Sequence, residues 1–145
     1  GSRNDHRPEF HEANGVIYTG THDNNTALGW FNETAAPGET RGAEEILRER
    51  TFALQYLMSD GREFHWDLIR LAHASRSAIA IVPLQDVLGL GAEARMNVPG
   101  TVEGNWTWRF AEGALTADQA DRLRGLGAET GRLRRAAGGP GRKGR

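Results

Sequence analysis

The run AIAIVPL, Ala78 to Leu84, is apolar almost without interruption. A strand with one wet face alternates apolar and polar residues, whereas a strand covered on both faces does not. The run therefore predicts a strand within a parallel sheet, packed over on both sides. One other segment can pair with it. Val16 to Thr21 is a short β-branched and aromatic run, the composition of a strand.

Parallel strands need a long crossover. Between the two runs, Ile46, Leu47, Ala53, Leu54, Leu57 and Met58 recur near the 3.6-residue period and predict a helix that Asp60-Gly61 ends. Glu63 to Ser75 predicts a second helix. Its Phe64, Trp66, Leu68, Ile69, Leu71 and Ala72 cover a wide arc, so it should pack on more than one side. Asn32 to Thr40, with Pro37-Gly38, reads as a loop. Near the end, Thr116 and Gln119 have capping-box spacing. The helix they open should run through Leu123 and Leu126 toward Leu133, weakened by Gly125, Gly127 and Gly131. The order is strand, helix pair, strand, helix. Two strands make no sheet worth burying, so the pattern reads as a piece of a larger α/β domain.

Composition removes several function classes. With 18 basic and 19 acidic residues, the net charge of -1 gives no electrostatic reason to expect nucleic acid. Without cysteine there are no disulfides or thiolate metal sites. That absence fits a reducing cytosol without requiring it, so it does not decide the compartment; the one expected for the chain is cytoplasmic. No apolar run approaches the roughly 20 residues that span a bilayer, so no membrane partner is expected. The start, GSRNDHRPEF, reads as a polar loop and lacks the basic and apolar regions of a secretory signal. Residues 136–145, AAGGPGRKGR, are expected to form a disordered basic tail beyond a single unit over 1–135.

Chemistry-bearing residues gather in two places. His22-Asp23-Asn24-Asn25 follows the first strand, where parallel α/β folds carry functional groups. A carboxylate there can bind sugar hydroxyls or stabilise developing positive charge. The competing reading is a turn in which Asp and Asn bond their own backbone. Metal binding by His22 and Asp23 is disfavoured, because neighbours on an extended chain point to opposite faces. The second place is Arg95 to Gly100 with Glu103 to Arg109, where Asn97, Trp106, Trp108 and Arg109 offer amides, ring faces and guanidinium. These suit a sugar, or a surface loop pinned by a buried Trp. Gly89 and Gly91 lack the rest of a dinucleotide fingerprint. Gln85-Asp86 can orient a neighbouring loop or bond the chain internally, the second being the stronger reading. His6, His11, His65 and His73 show no ligand spacing; the last two should lie on a helix surface or pack at its edge.

Together, YTGTHDNNTALGW (Tyr18 to Trp30) and PLQDVLGLGAEARMNVPGTVEGNWTWR (Pro83 to Arg109) resemble the C-terminal part of the amylomaltases, the 4-α-glucanotransferase family. The resemblance runs from about Val16 to Leu126. It implies an α/β fold, the C-terminal portion of a (β/α)8 TIM barrel, about strands seven and eight with their helices. It implies transfer of α-1,4-glucan segments to a 4-hydroxyl acceptor by retaining double displacement, without cofactor or metal. Substrates would be maltooligosaccharides and starch- or glycogen-derived glucans. Asp23 matches the family's third carboxylate, which binds the distorted sugar's 2- and 3-hydroxyls and supports the oxocarbenium-like transition state. His22 and Asn97 match sugar-binding neighbours, and Trp30, Arg95, Gly100 and Trp106 are supporting residues. The family's nucleophile and acid/base lie on earlier strands, and Glu12, Glu33 and Glu103 match neither. Three readings follow: an enzyme represented by its C-terminal fragment and inactive alone, a non-catalytic glucan-binding or complementing part of a split enzyme, or a fragment without function.

Overall fold

The structure, a computed structural model, describes residues 12–35 and 42–133. The expected tail at 136–145, most of the N-terminal polar segment, His6, His11 and Pro37-Gly38 lie outside them.

Strand β1 (Val16–Tyr18) and strand β2 (Ile79–Ile81) pair in parallel, with Val16 opposite Ile79, Ile17 opposite Ala80 and Tyr18 opposite Ile81. The parallel pairing is as expected. Within this chain only one face of the pair is covered. Val16, Tyr18, Ile79 and Ile81 are 46%, 51%, 52% and 43% exposed, and they share one face of the pair. Helices cover the other face only, where Ile17 and Ala80 are half-buried.

Helices α1 (Ala27–Phe31), α2 (Ala43–Leu57) and α3 (Phe64–Ala74) connect the strands. Glu44 and Glu45 place negative charge at the positive end of the α2 dipole. α2 stops at Met58, whose left-handed φ of 50° lets Ser59 N–H return to the Leu54 carbonyl at 3.0 Å. The helix thus ends before Asp60-Gly61, which only completes the turn. α3 is the hub, packing against α1, α2 and β2 as well as the two later helices. Phe64, Trp66, Ile69 and Ala72 are all buried, which bears out the wide apolar arc.

After β2 come α4 (Leu84–Val87), a 3₁₀ turn (Ala92–Ala94) and α5 (Ala117–Glu129). Trp66, Ile69, Val87 and Leu126 form the core, bordered by Val82, Leu84 and Leu123. Ile69 is fully buried, so Ile69→Ala should cost about 2–5 kcal/mol through lost burial and a cavity. The α5 capping box forms, with Gln119 Oε1 accepting the Thr116 N–H at 2.7 Å. α5 ends at Glu129, and Leu133 folds back beside Gly127. Arg122 joins α5 to the start of α3: it bonds Glu63 through two 2.7 Å contacts and stacks 4.1 Å above the Trp66 ring. Arg132 donates to the carbonyls of His73 (2.6 Å) and Ser75 (2.9 Å), satisfying the end of α3.

Candidate functional site

The first loop leaves β1 and enters α1. Asn24 Oδ1 accepts from Thr21 N (2.8 Å) and Thr21 Oγ1 (2.9 Å), and Asn25 Oδ1 accepts from Thr26 N (2.9 Å). Thr26 caps α1 by accepting the Gly29 N–H at 3.0 Å. The turn reading therefore holds for the two asparagines, whose side chains shape the backbone. His22 and Asp23 are left outward, their side chains 55% and 52% exposed. They do not diverge: His22 Nε2 lies 3.4 Å from Asp23 Oδ1. The opposite-face argument fails because the chain turns here and is not extended.

The second loop closes on the first. Arg95 donates from Nη2 to the Asp23 carbonyl (2.7 Å) and from Nε to the Asn97 carbonyl (2.8 Å). Asn97 N–H donates to the His22 carbonyl (3.1 Å), and Asn97 Nδ2 donates to Asp23 Oδ1 (2.7 Å). One Asp23 oxygen is thus held, and Oδ2 has no partner among the described residues. The loop beyond Asn97 is closed by Asn105, which accepts from Val98 N (2.8 Å) and donates to the Thr101 carbonyl (3.0 Å). Trp106 then takes a left-handed φ of 63°, a conformation costly for a bulky residue. Its N–H bonds the Met96 carbonyl at 2.7 Å, and its ring lies 5.0 Å from the His22 imidazole. A half-open cleft of about 510 Å³ lies beside this contact, bounded by Tyr18, His22, Ile81, Arg95 and Trp106.

The other sequence candidates fall elsewhere. Trp30 packs beside Phe64, ring centroids 5.6 Å apart. Gly100, at φ 83°, forms an exposed turn. Arg109 folds its guanidinium back onto the carbonyls of Trp106 and Trp108. His65 is packed at the helix edge, as expected: its Nδ1 is buried without a partner, and burial pushes its pKa below the usual imidazole value. Among the described residues, no group of three or more His, Cys, Asp or Glu could hold a metal ion, and no helix is long and apolar enough to cross a membrane.

Below the site, Gln85 and Asp86 are buried and bond internally, the stronger of the two sequence readings. Asp86 accepts from Thr19 Oγ1 (3.1 Å) and from Ala27 N (2.8 Å), and Gln85 Nε2 donates to the Ala94 carbonyl (3.2 Å). Burial pushes the Asp86 carboxyl upward, opposed by those two donors. The Thr19 link escaped sequence reasoning because 67 residues separate the pair and no local pattern marks it.

Parallel strands whose C-terminal loops converge on a carboxylate, an amide and an indole define an α/β protein with a polar site at the strand ends. The 4-alpha-glucanotransferase family matches residues 1–116, and the chain belongs to that family. It is 46% identical over 101 residues to the 4-alpha-glucanotransferase of Synechocystis sp., a match covering 70% of this chain and 18% of that protein. It is 41% identical over 141 residues to the one from Thermus thermophilus, covering 92% and 26%. Amylomaltase from Streptococcus agalactiae, solved in complex with acarbose, is similar in structure with a TM-score of 0.75 at 29% identity, over 88% of this chain and 24% of that one. The chain therefore spans about a quarter or less of the length of these relatives.

Proposed function

We propose that this chain is the part of a cytoplasmic 4-α-glucanotransferase that supplies the transition-state-stabilising carboxylate. In this reading β1 and β2 are the seventh and eighth strands of a (β/α)8 barrel. The exposed face of Val16, Tyr18, Ile79 and Ile81 looks into the barrel interior. The remaining strands bring the nucleophile and the acid/base, since retaining transfer needs two carboxyl groups about 5 Å apart across the scissile bond. Asp23 binds the 2- and 3-hydroxyls of the distorted sugar, and its negative charge opposes the positive charge that develops on the ring. His22 and Asn97 contact the same sugar. Arg95 and Trp106 hold the two loops in place, and Gly100 and Trp30 support them from further away.

One observation carries this reading: Asn97 holds one oxygen of an otherwise exposed Asp23 at the strand ends, and the other oxygen has no partner among the described residues. The donor and acceptor would be α-1,4-glucans. The purified chain should not disproportionate maltotriose by itself, and should do so once combined with the rest of the barrel. Turnover by the chain alone, free of contaminating enzyme, would overturn the assignment of the missing carboxylates. Binding of maltooligosaccharide without turnover in the complete protein would favour a glucan-binding module instead.

A further inference from the structure

We infer that Asp86 is a positioning residue for Asp23, acting from beneath the loop without touching the sugar. Thr19 is the first residue after β1, and Ala27 is the first residue of α1. Between them lies the loop that presents His22 and Asp23. One carboxylate holds both ends of that loop, taking the Thr19 hydroxyl on Oδ2 and the Ala27 N–H on Oδ1. Asp86 is 2% exposed and sits on α4, which starts three residues after the end of β2. The loop after β1 is thereby fastened to the neighbouring strand.

Its neighbour Gln85 fastens the other half of the site. Gln85 Nε2 holds the carbonyl of Ala94, one residue before Arg95. Arg95 in turn bonds the backbones of Asp23 and Asn97. Two consecutive buried side chains thus fix both loops relative to β2, and the 2.7 Å contact between Asn97 and Asp23 depends on both. Asp86 forms no ion pair among the described residues, so a buried carboxyl is kept here with two neutral donors as its partners. A Leu of similar size would fill the space more cheaply, but would release both loop ends.

This inference rests on the glucanotransferase reading for its catalytic consequence, and its test separates the two. The full-length protein that carries these residues is prepared as wild type, Asp86→Ala, Asp86→Asn and Thr19→Val. Amide hydrogen exchange is followed across residues 19–27, with α5 amides as the internal reference, and maltotriose disproportionation gives kcat and KM. Asp86→Ala should lower kcat by about 100-fold with a much smaller change in KM, the scale expected for a small misplacement of a reacting group. Exchange in the loop should rise about tenfold while α5 is unchanged. Asp86→Asn, which keeps an acceptor for Ala27 N–H, should recover much of the loss, and Thr19→Val should fall between. Normal kcat in Asp86→Ala, or a kcat loss matched by a lost folded fraction and faster exchange throughout α5, overturns the positioning role. If Asp86→Ala does not fold, Thr19→Val decides on the same readouts. An inactive wild type sinks the glucanotransferase reading, and loop exchange alone then decides whether Asp86 fastens the loop.

Discussion

Asn97 donates its side-chain N–H to one Asp23 oxygen at 2.7 Å, although 74 residues separate the two in sequence. The bond joins the loop after β1 to the loop after β2 and, under the glucanotransferase proposal, aims the carboxylate before a sugar arrives. Asn97→Ala would leave Asp23 exposed but unaimed. The complete enzyme should lose about 1.5–3 kcal/mol of transition-state stabilisation, the range for a hydrogen bond to a charged group, and kcat/KM for maltotriose measures it.

Asp23→Asn keeps the size and removes the charge. In the complete enzyme the expected loss is on the order of 4–7 kcal/mol of transition-state stabilisation, with the fold retained. Disproportionation of maltotriose checks the rate, and circular dichroism checks the fold. Near-normal activity would remove Asp23 from the mechanism.

Arg95→Ala should behave as if Asn97 had been weakened too. Its guanidinium bonds the backbones of both Asp23 and Asn97, so the two residues act on one geometry. In a double-mutant cycle, the combined Arg95→Ala and Asn97→Ala loss should fall short of the sum by about 0.5–3 kcal/mol. Strict additivity would mean that Arg95 does not act through the Asn97 contact.

His65 should make stability depend on pH. An unfolded imidazole takes its proton near pH 6.5, whereas burial holds the folded one neutral to lower pH. Between those values the unfolded state binds more protons, so stability rises with pH. The His65 contribution is complete above about pH 6.5 and is lost as pH falls through the folded value. Nearby Glu63, Asp86 and Asp67 favour protonation and moderate the effect, whereas Arg122 acts in the same direction as burial. Melting curves at several pH values should show the wild type losing more stability below pH 6.5 than His65→Gln. Parallel curves would contradict the assignment.

Gly29→Ala should be poorly tolerated. A Cβ built there lies 2.2 Å from Asn25 Oδ1 and 2.9 Å from Ala92 N, so it would drive α1 away from the 3₁₀ turn. Overpacking of this kind costs about 1–3 kcal/mol, readable as a shift of the denaturation midpoint.

Those same residues show where sequence reasoning reached and where it stopped. The parallel pair and α3 were legible because apolar pattern alone specifies them. α1 was not, because it is only five residues long and has Gly29 at its centre; the one local signal was Thr26 as its cap. α4 was hidden by the apolar run itself, which predicted a strand through Leu84, whereas β2 stops at Ile81 and Pro83 is the N-cap of α4. At the site, motif resemblance picked out His22, Asp23, Arg95, Asn97 and Trp106, and the structure brings these five together. It gave no hint of how they meet, since the bonds of Arg95 and Asn97 run to Asp23 across 72 and 74 residues. Trp30 entered by proximity to the motif, and its ring serves the packing around Phe64.

The left-handed backbone of Trp106 sets local backbone strain against the ring packing of the site. A glycine would relieve the conformation, worth about 1–3 kcal/mol at such a position, and would also delete the ring beside His22. Selection of variants for heat resistance alone would therefore favour Trp106→Gly, and the survivors would be sturdier proteins that lack the indole packed beside His22.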